Sequence, residues 1–219
     1  TIGAYAHCSF IPRWNRLYLS NSPECLFQRR KKNNRYFIYT MPIKGSIKTN
    51  SSPWESQWNE LAKCQKNAAE LHMITDLVSN DLSKIERPKA KVLADRRPLK
   101  VPGILHQYSL VEVELGKNTN LGGIVASLFP GGSVTGAPKK QVMKILKKME
   151  GVSRGFYCGS TIVIHQSLMA ASINIRSAEI NLDKKEMSCH SGGGVTLLSK
   201  AKDEYDEMKL KLKSFISIF

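Results

Sequence analysis

The sequence has no apolar run long enough to span a membrane, so a chain that stays in water is expected. Its five cysteines are odd in number and show no paired spacing, which argues against a disulfide framework and against a CxxC metal site. A reducing compartment is the simplest reading. No signal or transit peptide is visible from Thr1 onward. The expected location is the cytoplasm, or an organelle if a leader precedes Thr1. No zinc-finger, RRM or KH pattern accompanies the net charge of +15. The basic runs Gln28–Arg35 and Lys139–Lys148 therefore read as solvated lysine-rich surface, with no nucleic-acid partner expected.

What is present is a globular composition, 42% hydrophobic, over 219 residues, enough for a substantial core and for one or two domains. The most distinctive stretch is LFPGGSVTGAPKK, Leu128–Lys140, with three glycines and two prolines. Behind it Val142, Ile145, Leu146 and Met149 recur at helical spacing, and Pro138 suits the first turn of that helix. A glycine-rich turn feeding a helix N-terminus offers backbone N–H groups to an anion. It also serves as plain architecture, and the stretch alone does not separate the two. The spacing Gly131-x-x-x-x-Gly136 opens like a phosphate-binding P-loop, but Ala137 and Pro138 stand where Lys and Ser or Thr are required. The P-loop reading fails.

In chain order, Ala4–Phe10, Arg16–Ser20 and Glu24–Phe27 read as strands, with a turn at Asn21-Ser22-Pro23. Arg29–Arg35 reads as a basic hairpin tip and Tyr36–Met41 as the returning strand. Lys44 follows between an apolar strand end and Gly45, either as a surface lysine at a turn or as a partly buried amine capable of acting as base or nucleophile. Ser52 and Pro53 open a helix expected to run to about Val78, with Leu61, Ala68, Leu71 and Ile74 inward. Glu70 lies among these apolar residues, either at the edge of the polar face or drawn inward by a cation. Arg87–Pro102 reads as irregular and basic, and Gly103–Leu115 as extended or mixed; His106 alone proves little. Ser160–His165 and Ser172–Ile180 read as strands, and alternation in the second puts Arg176 opposite its isoleucine neighbours, where it could bind a carboxylate bidentately. Ser191-Gly192-Gly193-Gly194 would let backbone approach a ligand closely. Lys200–Phe219 reads as a helix with Glu204 and Glu207 stacked on one face. With Glu70 these form an oxygen-rich set suited to magnesium, or, more simply, acidic residues complementing a helix dipole.

Taken together, these pieces resemble the chorismate-utilising enzymes: anthranilate, aminodeoxychorismate, isochorismate and salicylate synthases. The resemblance is carried by Ser22–Glu24 (SPE), Pro42–Ser46 (PIKGS), Ala69–Leu82 (AELHMITDLVSNDL) and Leu128–Lys139 (LFPGGSVTGAPK). It continues through Tyr157–Ser160 (YCGS), Ile173–Ser177 (INIRS), Ser191–Val195 (SGGGV) and Glu204–Glu207 (EYDE). It implies an α+β fold, an antiparallel β-sheet sandwich flanked by helices, with residues 1–219 as a single chorismate-binding domain lacking its N-terminal part.

Lysine in PIKGS points to aminodeoxychorismate synthase component I, where anthranilate synthases carry alanine. The resemblance then implies Lys44 as covalent nucleophile, which needs a neutral amine, expected from burial or a neighbouring cation. It implies Glu24 as general acid or base, and His106 and Thr135 lining the reacting ring. Tyr157, Arg176 and the N–H groups of Gly192 and Gly194 would take the enolpyruvyl carboxylate, and Glu70, Glu204 and Glu207 would hold Mg²⁺. Chorismate and ammonia would be the substrates and a glutamine amidotransferase the partner. Anthranilate synthase and a non-catalytic relative acting as a binding partner are the alternatives. Thr161-Ile162 departs from the family's usual Ile-Gly and is expected to crowd a strand near the site.

Overall fold

The computed structural model describes residues 3–85, 89–166, 168–197 and 199–216. Two antiparallel sheets and five helices build an α+β architecture. In the smaller sheet, β1 (Tyr5–Ile11) pairs with β2 (Arg16–Ser22), and β2 pairs with β10 (Ser177–Asn181), which pairs with β11 (Glu186–Cys189). The larger sheet contains β3 (Cys25–Lys32), β4 (Arg35–Thr40), β5 (Ile43–Lys48), β6 (Lys91–Val101), β7 (Ile104–Glu114), β8 (Ile162–His165) and β9 (Leu168–Ser172). Its order is β5-β7-β4-β3-β9-β8, with β6 also on β7.

Strand β7 shows why the larger sheet forms. Every second residue, Leu105, Gln107, Ser109, Val111 and Val113, is buried, the period that a half-buried strand requires. Phe27, Ile38, Val111, Val113, Met169 and Ala171 from the sheet meet Leu82, Ile124 and Leu128 from the helices in one core cluster. The basic run after Phe27 belongs to the strands themselves. Only Asn33 and Asn34 turn, with φ of 48° and 61°, the left-handed pair a two-residue hairpin needs. Arg29 and Lys31 are accommodated by stacking over the Tyr36 ring at 4.9 and 5.9 Å.

Three sequence expectations are corrected here. The part of Arg87–Pro102 within the described residues is mostly the long strand β6, not irregular chain; it is an edge strand whose register shifts twice around Arg96 (φ 46°). Charge, a proline and bulges are how edge strands avoid further pairing, so the features that suggested irregular chain are those of an edge. Ser172–Ile180 is not one strand. The chain leaves the larger sheet at Ser172 and joins the smaller at Ser177, and Arg176 sits at this corner with φ 49°, exposed. The alternation argument for its direction therefore does not apply. The helix after Pro53 is two helices, α1 (Trp54–Lys63) and α2 (Gln65–Leu82), broken at Cys64, and Ser52 supplies no side-chain cap. Its buried face does contain Leu61, Leu71 and Ile74 as expected.

Helix α3 (Leu121–Leu128), capped by Asn120 accepting from the Gly123 N–H at 2.9 Å, was not apparent from a segment with two glycines. Helix α4 (Lys139–Glu150) follows the turn as expected, but Ile145 and Met149 on its apolar stripe stay exposed. Helix α5 (Ala201–Ile216) closes the described chain, and Phe219 lies outside the described residues.

The glycine-rich turn is fixed to α2 by a buried ion pair. Lys139 Nζ lies 2.5 Å from Asp81 Oδ2 and donates to the Leu128 carbonyl at 3.1 Å, while Ser127 Oγ donates to the Asp81 carbonyl. Asp81 is 3% exposed, so removing Lys139 strands a carboxylate. Lys139→Met is expected to cost about 2–4 kcal/mol in denaturant unfolding. Lys84→Met, removing a largely exposed second partner of Asp81 at 2.8 Å, should cost less than about 1 kcal/mol.

Candidate active site

The corner between the two sheets positions Glu24. Ser22 Oγ donates to the Ile173 carbonyl at 2.5 Å, and the Glu24 carbonyl accepts from the Ile173 N–H at 3.1 Å, so the SPE and INIRS segments lock each other. Glu24 lines a narrow cavity of about 20 Å³ with Thr40, Ile74, Asp81, Gly132 and Ser133, room for a water-sized group. Burial pushes its carboxyl above the usual carboxylate range; Ser133, then Lys44 and Lys211, oppose the shift. The Ser133 hydroxyl is itself buried without a hydrogen-bond partner of good geometry, so its influence on Glu24 is one of proximity. The FPGGS segment thus brings Ser133 to the acid, a contact the sequence reading did not anticipate. Gly132 is needed for this approach, because a Cβ there would lie 2.5 Å from Leu77 Cδ2.

Lys44 projects from β5 toward α2, where its Nζ lies 3.8 Å from Glu70 Oε2; the two side chains are 25% and 13% exposed. Burial or a neighbouring cation was expected around this amine; the structure gives partial burial and, as the neighbour, a carboxylate. Gly45 (φ 80°) makes the approach possible, since a Cβ there would meet the Asn67 side chain of α2 at 2.9 Å.

The second glycine cluster gathers the other predicted residues. A Cβ on Gly192 would lie 3.1 Å from the Tyr157 hydroxyl, on Gly193 3.1 Å from Glu204 Oε2, and on Gly194 3.7 Å from Lys44 Nζ. Three successive glycines therefore pack their backbone against three of the candidate side chains. Tyr157 also stacks on His190, with ring centroids 5.6 Å apart, and burial pushes its phenol well above the usual range.

His106 faces Ser46 across the β5–β7 pair, Nδ1 to Oγ 2.6 Å. Burial, with a smaller contribution from Arg176, lowers its pKa, so the ring is neutral at pH 7. Arg176 is thus within electrostatic reach of the site from its corner. Thr135 donates its hydroxyl hydrogen to the Gly131 carbonyl at 2.9 Å, bracing the turn from within, and Arg154 donates to the Val134 carbonyl at 2.7 Å. Thr161, expected to crowd a strand, is instead absorbed by Asn174 through weak contacts at 3.3 and 3.4 Å.

The three glutamates are each paired with a lysine. Glu70 faces Lys44; Glu204 accepts from Lys66 at 2.7 Å and from Ser199 at 2.6 Å; Glu207 pairs with Lys211 at 2.7 Å. Their oxygens are of the kind a hard divalent ion prefers. As arranged, however, they do not fit one: among the described residues no three acidic, histidine or cysteine side chains are grouped to hold an ion. Lys66, Lys211 and Ser199 were missed from sequence. The signal for the first two was present as helical spacing, Lys66 four residues before Glu70 and Lys211 four after Glu207.

The sequence profile of the chorismate binding enzymes matches residues 4–217. The chain belongs to that family. It is 34% identical over 196 residues to an uncharacterized PabA-like protein of Haemophilus influenzae, aligning 87% of this chain and 57% of that one. It is 34% identical over 201 residues to the chloroplastic aminodeoxychorismate synthase of Arabidopsis thaliana (89% and 21%), and 32% identical over 193 residues to aminodeoxychorismate synthase component 1 of Klebsiella aerogenes (86% and 42%). Anthranilate synthase component I from Streptococcus pneumoniae shares the fold, with a TM-score of 0.80 at 24% identity, covering 97% of this chain and 46% of that one. The chain thus spans between about a fifth and somewhat over half the length of these relatives. No described helix is long and apolar enough to cross a membrane.

Glu24 gives a pH test of this site. A raised carboxyl pKa means the folded chain keeps a proton that the unfolded chain has released. Stability is then lost as pH rises from the ordinary value of 4.5 through the raised folded value. Glu24→Gln carries no such cost. At pH 8 it should melt at a higher temperature than the wild type. By calorimetry at pH 4.5 that advantage should vanish.

Proposed function

We propose that the chain carries the chorismate-converting centre of an aminodeoxychorismate synthase component I, replacing the C4 hydroxyl of chorismate with an amino group from ammonia. The observation that carries this reading is Lys44, a partly buried amine between Glu70 and the backbone of Gly194, in the segment where the family's resemblance separates this reaction from anthranilate synthesis.

In this reading the enclosed cavity beside Glu24 is too small for a ring, so chorismate lies over Lys44 and the Gly192–Gly194 backbone with its C4 hydroxyl toward Glu24. The Lys44 amine must be neutral to attack, and Glu70 is the carboxylate within reach of its proton. The nitrogen bonds to C2, both ring double bonds shift by one position, and the C4–O bond breaks. Glu24, whose carboxyl burial biases toward the protonated form, donates the proton with which the hydroxyl leaves as water. Ammonia then attacks C4 and loses a proton, both double bonds shift back and the C2–Lys44 bond breaks, freeing the lysine. Two moderate displacements replace one difficult one.

Tyr157, Arg176 and the N–H groups of Gly192 and Gly194 would bind the enolpyruvyl carboxylate. His106, neutral and tethered to Ser46, would present its other ring nitrogen to the substrate. Thr135 supports this role indirectly, by holding the turn that carries Ser133. The net charge of +15 suits a dianionic substrate and an acidic partner surface. Ammonia would come from a glutamine amidotransferase, as a separate chain or a fused domain.

The chain incubated with chorismate, ammonium and Mg²⁺ should yield 4-amino-4-deoxychorismate by liquid chromatography and mass spectrometry. Lys44→Ala should lower its formation by roughly three orders of magnitude or more. Anthranilate as sole product, or full activity in Lys44→Ala, would contradict the reading.

A further inference from the structure

The cavity beside Glu24 has a size and a lining that restrict what it can hold. At about 20 Å³ it takes a single water-sized molecule. Ile74 and Ile173 stand among its apolar walls, and Glu24, Thr40, Asp81 and Ser133 supply its polar lining. The walls are tight, since a Cβ on Gly131 would lie 2.8 Å from Ile173 Cδ1. Asp81 is already paired with Lys139 and Lys84, which leaves Glu24, Thr40 and Ser133 to meet an occupant. Lys44 from β5 and Lys211 from α5 act on Glu24 electrostatically, and the buried Cys25 thiol follows it in the chain. A cation entering here would meet both lysines, and a neutral molecule would not. The fitting occupant is therefore neutral, has one heavy atom, and both donates and accepts hydrogen bonds. Water and ammonia answer that description.

These are the two molecules that the proposed reaction exchanges at C4, and this inference rests on that reading. We propose that the cavity is the exchange pocket for the C4 substituent: the departing oxygen enters it as water, and ammonia replaces that water before attacking C4. Glu24 gives its proton to the C4 oxygen as the C–O bond breaks, and becomes a carboxylate. The ammonia lone pair then bonds to C4, and the C2–N bond breaks with its electron pair staying on the lysine nitrogen. The new C4 ammonium sheds one proton, which the Glu24 carboxylate takes back. The acid is thus restored in each turnover, and Thr40 and Ser133 hold the small molecule against it. The closed walls leave no room for a carbon substituent on the nitrogen, so the pocket selects ammonia over larger amines.

Size selection gives the test. Initial rates of the full chain are measured with ammonium and with methylammonium, at equal free-amine concentration and saturating chorismate, and products are resolved by mass spectrometry. The wild type should discriminate against the N-methyl product by at least about tenfold, the scale of one extra carbon in a closed pocket. Ile74→Val removes one methyl group from the wall and should shrink that discrimination. Thr40→Val keeps the shape but loses the hydroxyl, and should raise KM for ammonium about two- to tenfold, the scale of one hydrogen bond, without moving KM for chorismate. Should Thr40→Val fold poorly, Ser133→Ala makes the same measurement. Equal use of both amines by the wild type, or an ammonium KM unmoved in Thr40→Val and Ser133→Ala, would overturn the pocket while leaving the reaction at Lys44 standing. Failure of the wild type to aminate chorismate at C4 would overturn that reaction and this inference with it.

Discussion

The contact on which the site depends is the approach of β5 to α2, where Lys44 meets Glu70. Gly45 permits it by having no side chain: a Cβ there would lie 2.9 Å from the Asn67 side chain, which would have to give way. The same constraint recurs at Gly132 against Leu77 and across Gly192–Gly194 against Tyr157, Glu204 and Lys44. The glycines of these motifs are therefore spacers of zero thickness between functional side chains and the elements that hold them. Adding a methyl at Gly45, Gly132, Gly192 or Gly193 would shift a neighbouring group rather than simply stiffen a loop, whereas Gly194 leaves room for one.

Around that contact the charges are arranged in opposed pairs. Asp81 is fully committed to Lys139 and Lys84 and serves the architecture. Glu24 is instead buried, and burial raises its carboxyl pKa against the opposing influence of Ser133, Lys44 and Lys211. Glu70, Glu204 and Glu207 occupy the middle ground, each answered by a lysine that retains some exposure. Breaking the buried pair would strand a charge, whereas breaking a pair at partial exposure costs little.

Much of this was legible in the sequence, for physical reasons that differ by element. Strand β7 and the inward face of α2 announce themselves by period, and the motifs fixed which side chains to follow. Glu24, Lys44, Glu70, Tyr157 and Glu204 do converge on two glycine clusters. What periodicity missed were places where tertiary context overrules local pattern. β6 looked irregular because an edge strand tolerates Pro98 and a bulge at Arg96. Arg176 was assigned a direction by alternation that a corner between sheets does not obey. Lys66 could not be matched to Glu204 from sequence because spacing shows which residues share a helix face, not which helix lies opposite.

The central claim is that Lys44 becomes covalently bonded to the substrate, and it is tested most directly by trapping. The chain is mixed with chorismate in the absence of ammonia, quenched in acid, digested and analysed by mass spectrometry. The account predicts an adduct on the peptide containing Lys44, heavier by chorismate less one water, that disappears when ammonium is added before the quench. Formation of aminodeoxychorismate by the same preparation with no such adduct under any quench would contradict it.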